Sequence, residues 1–201
     1  MNALQIEILA NALNLICVVL ILFNKPSNWI FGIANSIVFI AVFIPAKLYG
    51  DASLQVMYAS LSAYGLYQWL FGNGGIKANR KGIDTNLPIS NCTPAKTISF
   101  LELGVVLTIV FAWFLSKYTN TDVAGADAIL TSMSVVATIM MAKRITQHWY
   151  VWITTNVLYF ALYAHKSLYI TMWCQIPLAI VSYFGLQYWL KEYNEQSTTV
   201  R

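Results

Sequence analysis

Charge is what this sequence has least of. Charged residues make up 10% of its 201 positions while 58% are hydrophobic, against roughly 25% charged in soluble domains, and that balance excludes a soluble fold. Histidine occurs only at 148 and 165, at opposite ends of one apolar segment. Neither an H-E-x-x-H nor a G-x-S-x-G pattern is present, so a membrane hydrolase has no catalytic set to draw on. The absence of G-x-x-x-x-G-K-[ST] excludes an ATPase within the chain. Of three cysteines, Cys17 and Cys174 sit in apolar segments and Cys92 in a polar loop. None has a disulfide or metal partner in view, and they read as packing residues. No catalytic residue, metal, cofactor or nucleic-acid partner is therefore expected. Alternating segments of about ten residues, the mark of an outer-membrane barrel, are missing too. The N-terminus lacks both a basic residue before its first apolar run and a small-residue cleavage site after it, so that run is expected to stay as a helix.

What is present is a series of long apolar runs. Crossing a hydrocarbon core of about 30 Å takes roughly 20 apolar residues in helical form. Spans are expected near 6–23, 29–46, 52–71, 98–116, 127–142, 149–165 and 170–190. The one long break, from Gly72 to Lys96, carries the glycines, asparagine and prolines of a linker. With the N-terminus outside, nine Lys and Arg fall on the cytoplasmic side, leaving Lys47, Lys117 and Lys166 outside. The positive-inside rule thus places the C-terminus in the cytoplasm. A multi-pass membrane location is expected.

Shifting the chain by 120 residues lays 29–70 on 149–190 without a gap, and 12 of the 42 positions are identical. Among the matches are Trp29/Trp149, Gln55/Gln175, Ser62/Ser182, Gly65/Gly185 and Trp69/Trp189. Extended backwards, the shift sets Glu7, Asn11 and Asn14 opposite Asp127, Thr131 and Ser134. Each trio has the i, i+4, i+7 spacing of one helical face. Four crossings separate the first and fifth spans, so the repeats run parallel, an arrangement found in transporters with their site near mid-membrane between the repeats. The expected fold is an all-α integral membrane protein of seven transmembrane helices in a 3+1+3 plan. It forms a single domain over 1–201, with repeat one at 6–71, linker and linking helix at 72–116, repeat two at 127–190 and a cytoplasmic tail at 191–201.

Buried polar groups inside such helices mark candidate binding residues. Trp149, Trp152 and Asn156 share a face of the sixth span, and an amide about 10 Å below the interface must bond another helix or face a wet cavity. The expectation for Asn156 is a ligand or cavity, and for Trp149 a place in the interfacial belt as well as a candidate contact. Asn35, Ser36, Gln55 and Gln175 occupy equivalent or neighbouring repeat positions, and Asn11, Asn14, Thr131 and Ser134 supply the polar stripe. Tyr58, Tyr64, Tyr67, Tyr159 and Tyr163 also lie within spans. A cavity walled by Trp and Tyr suits a flat, cationic heteroaromatic ligand, because ring faces attract positive charge. Few acids lie deep enough for proton or sodium coupling, which leaves passive facilitation.

The Trp149-x-x-Trp152-x-x-x-Asn156 pattern, with Asn28 to Gly32, Leu48-Tyr49, Leu54-Gln55-Val56, Tyr64-Gly65 and the 127–134 stretch, resembles the Pnu family of bacterial vitamin transporters over nearly the whole chain. The resemblance implies a fold similar to SWEET sugar transporters, a place in a bacterial inner membrane, a homotrimer, and uniport followed by trapping through a cytoplasmic vitamin kinase. It also implies vitamin contacts from Asn156, Trp152 and Gln55. The sequence departs from the nicotinamide riboside branch at Leu66, where Trp is common, and at Ser62, where Asn is usual. Its short termini and the run from Lys166 to Thr171 are similar to the thiamine branch. Thiamine is the expected substrate on these features, with nicotinamide riboside the alternative.

Overall fold

The structure, a computed structural model, describes residues 3–44, 49–72, 87–118 and 123–199. Lys47, Leu48, Lys77, Arg80, Lys81, Asp122 and Arg201, and the side chains of Glu7 and Asp51, lie outside what is described. Seven helices follow in order: α1 (Ala3–Leu22), α2 (Ser27–Phe43), α3 (Tyr49–Phe71), α4 (Pro94–Tyr118), α5 (Ala124–Ala142), α6 (His148–His165) and α7 (Tyr169–Thr199). Among the described residues α4, α5 and the Tyr169–Gln196 part of α7 are long and apolar enough to cross a membrane by length and composition. In α6 the apolar run is diluted by Thr155 and Asn156, both buried.

Six of the helices close a ring. Helix α1 packs on α2 and α7, α5 packs on α6 and α3, and within each repeat the outer two helices pack along their length, α2 on α3 and α6 on α7. The repeats thus meet through α1–α7 and α3–α5, two contacts that the 120-residue shift interchanges. Helix α4 stands outside this ring against α5 and, more lightly, α3, and exposes Leu101, Val105 and Ile109.

The repeat extends to the turns. Asn24, after α1, has φ 55°, and Arg144, after α5 and 120 residues on, has φ 51°. In both turns the next amide reaches back into the last helical turn, Lys25 N–H to the Leu20 carbonyl and Ile145 N–H to the Met140 carbonyl, each at 2.9 Å. This left-handed cap satisfies carbonyls that a helix end would otherwise leave open. Asparagine adopts the conformation readily, whereas a long side chain does so rarely. Arg144 is held by tertiary contacts instead. Its guanidinium donates to the Leu87 carbonyl and lies 5.3 Å from the Trp69 ring and 5.7 Å from that of Trp189.

Those rings belong to a tetrad. Trp29, Trp69, Trp149 and Trp189 are all buried, with centroid separations of 5.8 Å for Trp29–Trp69, 6.2 Å for Trp69–Trp189 and 5.9 Å for Trp149–Trp189. The tetrad closes the end of the ring where α1, α3 and α5 finish. Glycine makes room for it. A Cβ on Gly65 would fall 2.4 Å from the Trp29 ring, and one on Gly185 2.5 Å from the Trp149 ring. Trp149 is therefore an inward-facing residue, not a belt residue, because Gly185 lets α6 and α7 approach closely enough to cover it.

Helix α7 does not stop where the apolar run ends. It continues through 191–199, the stretch expected as a tail, where Asn24 donates to the Glu192 carboxylate and the Ile89 amide to Gln196 Oε1.

Candidate functional site

Between α2 and α6, which do not pack on one another, lies a cavity of about 880 Å³. Eight residues singled out in the sequence as binding candidates line it: Asn11, Asn14, Asn35, Gln55, Ser134, Trp149, Trp152 and Asn156. They share the cavity because the ring leaves its helices an inward face, and buried amides and hydroxyls collect there rather than against lipid. Trp149 contributes to the floor, where the tetrad closes the cavity.

Other expectations need correction. Thr131 does not line the cavity, although its repeat mate Asn11 does. Tyr58, Tyr159 and Tyr163 line it, whereas Tyr64 and Tyr67 are exposed on the outside of α3. Cys17 is not plain packing, since it reaches the cavity and points its thiol at the Asn28 carbonyl, 3.7 Å away. Asp127 stays at the opposite end from the tetrad, bonded to Lys166 at 2.8 Å.

Asn28, Ser62, Thr138, Thr171 and Ser182 also line the cavity and were not among the sequence candidates. Ser62 and Ser182 could have been found, because they are an identical pair in the repeat. Asn28 and Thr171 carried no such signal, lying at a helix start where polar residues are ordinary.

The hydrogen bonds knit the wall across elements. Asn11 Nδ2 donates to Thr171 Oγ1 at 3.1 Å, joining α1 to α7. Asn156 Nδ2 donates to Ser182 Oγ at 3.5 Å, longer than the usual 2.7–3.2 Å, while that hydroxyl donates to the Leu178 carbonyl at 2.7 Å. Ser134 Oγ and the Tyr159 hydroxyl lie 3.3 Å apart. The Tyr159 and Tyr163 rings stack at 5.3 Å with 9° between planes.

Pseudo-symmetry is broken in one direction. Trp152, Asn156 and Tyr159 of α6 correspond to Gly32, Ser36 and Phe39 of α2, and all six line the cavity. At these three positions α6 presents the larger side chain. Gly32 could not carry a Cβ cheaply in any case, since it would sit 2.9 Å from Ser62 Oγ.

Among the described residues, no Asp, Glu, Lys, Arg or His lines the cavity. A bound cation would be met by ring faces and by amide and hydroxyl oxygens, without a counter-ion. Such a site favours a delocalised organic cation over a compact metal ion, because the former sheds its hydration more easily.

A family profile described as nicotinamide mononucleotide transporter matches residues 4–191. The chain belongs to this family. Among its relatives, the nicotinamide riboside transporter PnuC of Escherichia coli is 24% identical over 213 residues, which cover 96% of this chain and 88% of that protein. The PnuC of Haemophilus influenzae is 25% identical, covering 88% of this chain and 75% of its own. The crystal structure of the vitamin B3 transporter PnuC matches with a TM-score of 0.72 at 21% identity, covering 95% of this chain and 83% of that one. The fold is thus that of an all-α integral membrane transporter. As a member of the family the chain is a multi-pass membrane transport protein. These relatives are named for nicotinamide riboside, so the preference for thiamine finds no support in them and the alternative moves ahead.

Proposed function

We propose that the chain carries nicotinamide riboside across the membrane by uniport. The observation that carries this reading is the aromatic and amide-lined cavity between the repeats, uncharged among its described residues. Its Trp and Tyr rings suit a pyridinium ring, and its Asn, Gln and Ser groups suit a carboxamide and a ribose. The lack of any Lys or Arg among the described residues of its wall favours the riboside over the mononucleotide, since a phosphate there would be desolvated without a charged donor. The eight candidate residues act as binding groups, with Trp152 and Asn156 central.

The protein acts as a carrier and not as an enzyme. Its tetrad end faces the cytoplasm of an inner membrane, in keeping with the lysine and arginine bias. It assembles as a homotrimer, and a cytoplasmic kinase traps the vitamin after passage.

The test is uptake by purified protein in sealed vesicles. Labelled nicotinamide riboside should exchange without ATP and without a proton or sodium gradient. Thiamine should compete weakly. Preferred exchange of thiamine would return the substrate to the other branch, and dependence on an ion gradient would overturn uniport.

A further inference from the structure

A second cavity lies outside the ring. It has a volume of about 360 Å³ and is lined by Ser90, Lys96, Ser99 and Lys143 with Phe100, Leu103, Ile139 and Ile145. It sits where α4 begins and α5 ends, on the outer face of repeat two. None of its residues lines the central cavity, so the two sites are separate.

The wall is a fixed structure rather than a chance gap between side chains. Ser90 is pinned to the α5–α6 turn by two backbone bonds, its amide to the Arg144 carbonyl at 3.0 Å and its carbonyl from the Thr146 amide at 2.9 Å. Gln147 reinforces the junction by accepting from the Cys92 amide at 2.8 Å. The segment before α4 is therefore held against repeat two at a set depth.

Polarity along the cavity follows one gradient on both helices. On α4, Lys96, Ser99, Phe100 and Leu103 have the i, i+3, i+4, i+7 spacing of one stripe. Leu103 lies about 10 Å deeper than Lys96. On α5 the order repeats, with Lys143 at the helix end and Ile139 one turn in. Lys143 leans across the gap, its Nζ 6.0 Å from the Phe100 ring. Among the described residues no carboxylate pairs with either lysine, and Glu102, exposed on α4, is not part of the wall. Two ammonium groups and two hydroxyls above an apolar slot match a phosphate joined to hydrocarbon.

We propose that this cavity binds an anionic phospholipid, with its phosphate between Lys96 and Lys143 and an acyl chain along Phe100, Leu103 and Ile139. A lipid so placed bridges the linking helix and repeat two, adding to the Ser90 and Gln147 bonds and to the Thr108–Ser132 hydroxyl contact at 2.6 Å. The site does not depend on what the central cavity carries.

The test is lipid retention by the purified full chain, read by native mass spectrometry and by melting in mixed micelles. Phosphatidylglycerol should be retained and should raise the melting midpoint, and phosphatidylcholine should do neither to the same extent. Lys96→Gln with Lys143→Gln should reduce phosphatidylglycerol retention at least fivefold while leaving the midpoint in phosphatidylcholine unchanged. Lys25→Gln with Lys191→Gln, at the same end but outside the cavity, should retain it as the unaltered chain does. Equal losses in the two pairs would overturn the site, because the effect would then be general surface charge. Leu103→Asn should also weaken retention. Protection by inorganic phosphate equal to that by the lipid, at matched ionic strength, would overturn the lipid assignment in favour of a free anion. Should the double variant fail to fold, Leu103→Asn and the phosphate arm decide alone.

Discussion

The indole N–H of Trp69 donates to the backbone carbonyl of Met141 at 3.2 Å. Its repeat mate, Trp189, makes the equivalent bond to Ile21 at 3.3 Å. Each joins the third helix of one repeat to the last turn of the first helix of the other, so the two halves exchange one bond each at the closed end. Replacing Trp189 by Phe removes the donor and leaves the Ile21 carbonyl with the Asn24 amide alone, at 2.9 Å, a loss of about 0.5–1.5 kcal/mol. A fall of several degrees in melting midpoint is expected, about 2–4 °C per kcal/mol for a chain of this size. Trp69→Phe should match it, and an effect at one position only would break the proposed equivalence.

Gly185→Ala should be more disruptive than its one added methyl suggests. The new Cβ would stand 2.5 Å from the Trp149 ring, and overpacking of this kind costs about 1–3 kcal/mol. Because Trp149 also forms part of the cavity floor, affinity for substrate should fall with stability. Gly104→Ala is the control, since its Cβ would meet nothing nearer than 3.9 Å. Equal melting curves for the two variants would show that Trp149 can move aside freely.

Asn156→Ala should weaken substrate binding by about 1 kcal/mol or more, if its amide bonds the ligand. Calorimetry on purified protein would show roughly fivefold or greater loss. An unchanged affinity with a lowered melting point would assign Asn156 to holding α6 against α7 through Ser182.

At Trp152 ring and size can be separated. Trp152→Phe keeps a π face and Trp152→Ala does not, so binding of a cationic ligand should fall by about 1–2 kcal/mol more in the second. A neutral analogue of the same shape should lose less. Equal losses for cation and neutral analogue would leave packing as the whole role of the side chain.

Much of the site was legible because the same offset governs both sequence and space. Buried amides at helical spacing point to one face, and in a closed ring the one face shielded from both lipid and neighbours is the cavity face. Asn11, Asn14 and Ser134 follow from that alone. Thr131 shows the limit, for a helical face spans several residues and only packing decides which of them the neighbour covers. Trp149 was misplaced for a related reason. A tryptophan at a helix start suits an interface equally well, and its burial depends on Gly185 in another helix. The continuation of α7 was hidden because hydropathy marks where lipid ends, whereas a helix ends where its tertiary partners do. Here those partners are Asn24 and Ile89.

That no described residue of the central cavity is a counter-ion reaches beyond affinity. Under the proposed reading, a monovalent cation crosses with nothing in the described wall to neutralise it, so each passage moves one net charge. The transmembrane voltage then acts on it, at about 2.3 kcal/mol per charge per 100 mV. A carrier without any coupled ion would still concentrate its substrate roughly fiftyfold towards the negative side at that voltage. Imposing a potassium diffusion potential on vesicles should drive accumulation in that direction and reverse it when the sign is inverted. Flux indifferent to voltage would mean that a compensating charge travels with the substrate. The chain would thus draw on the membrane's electrical energy through an absence of charge.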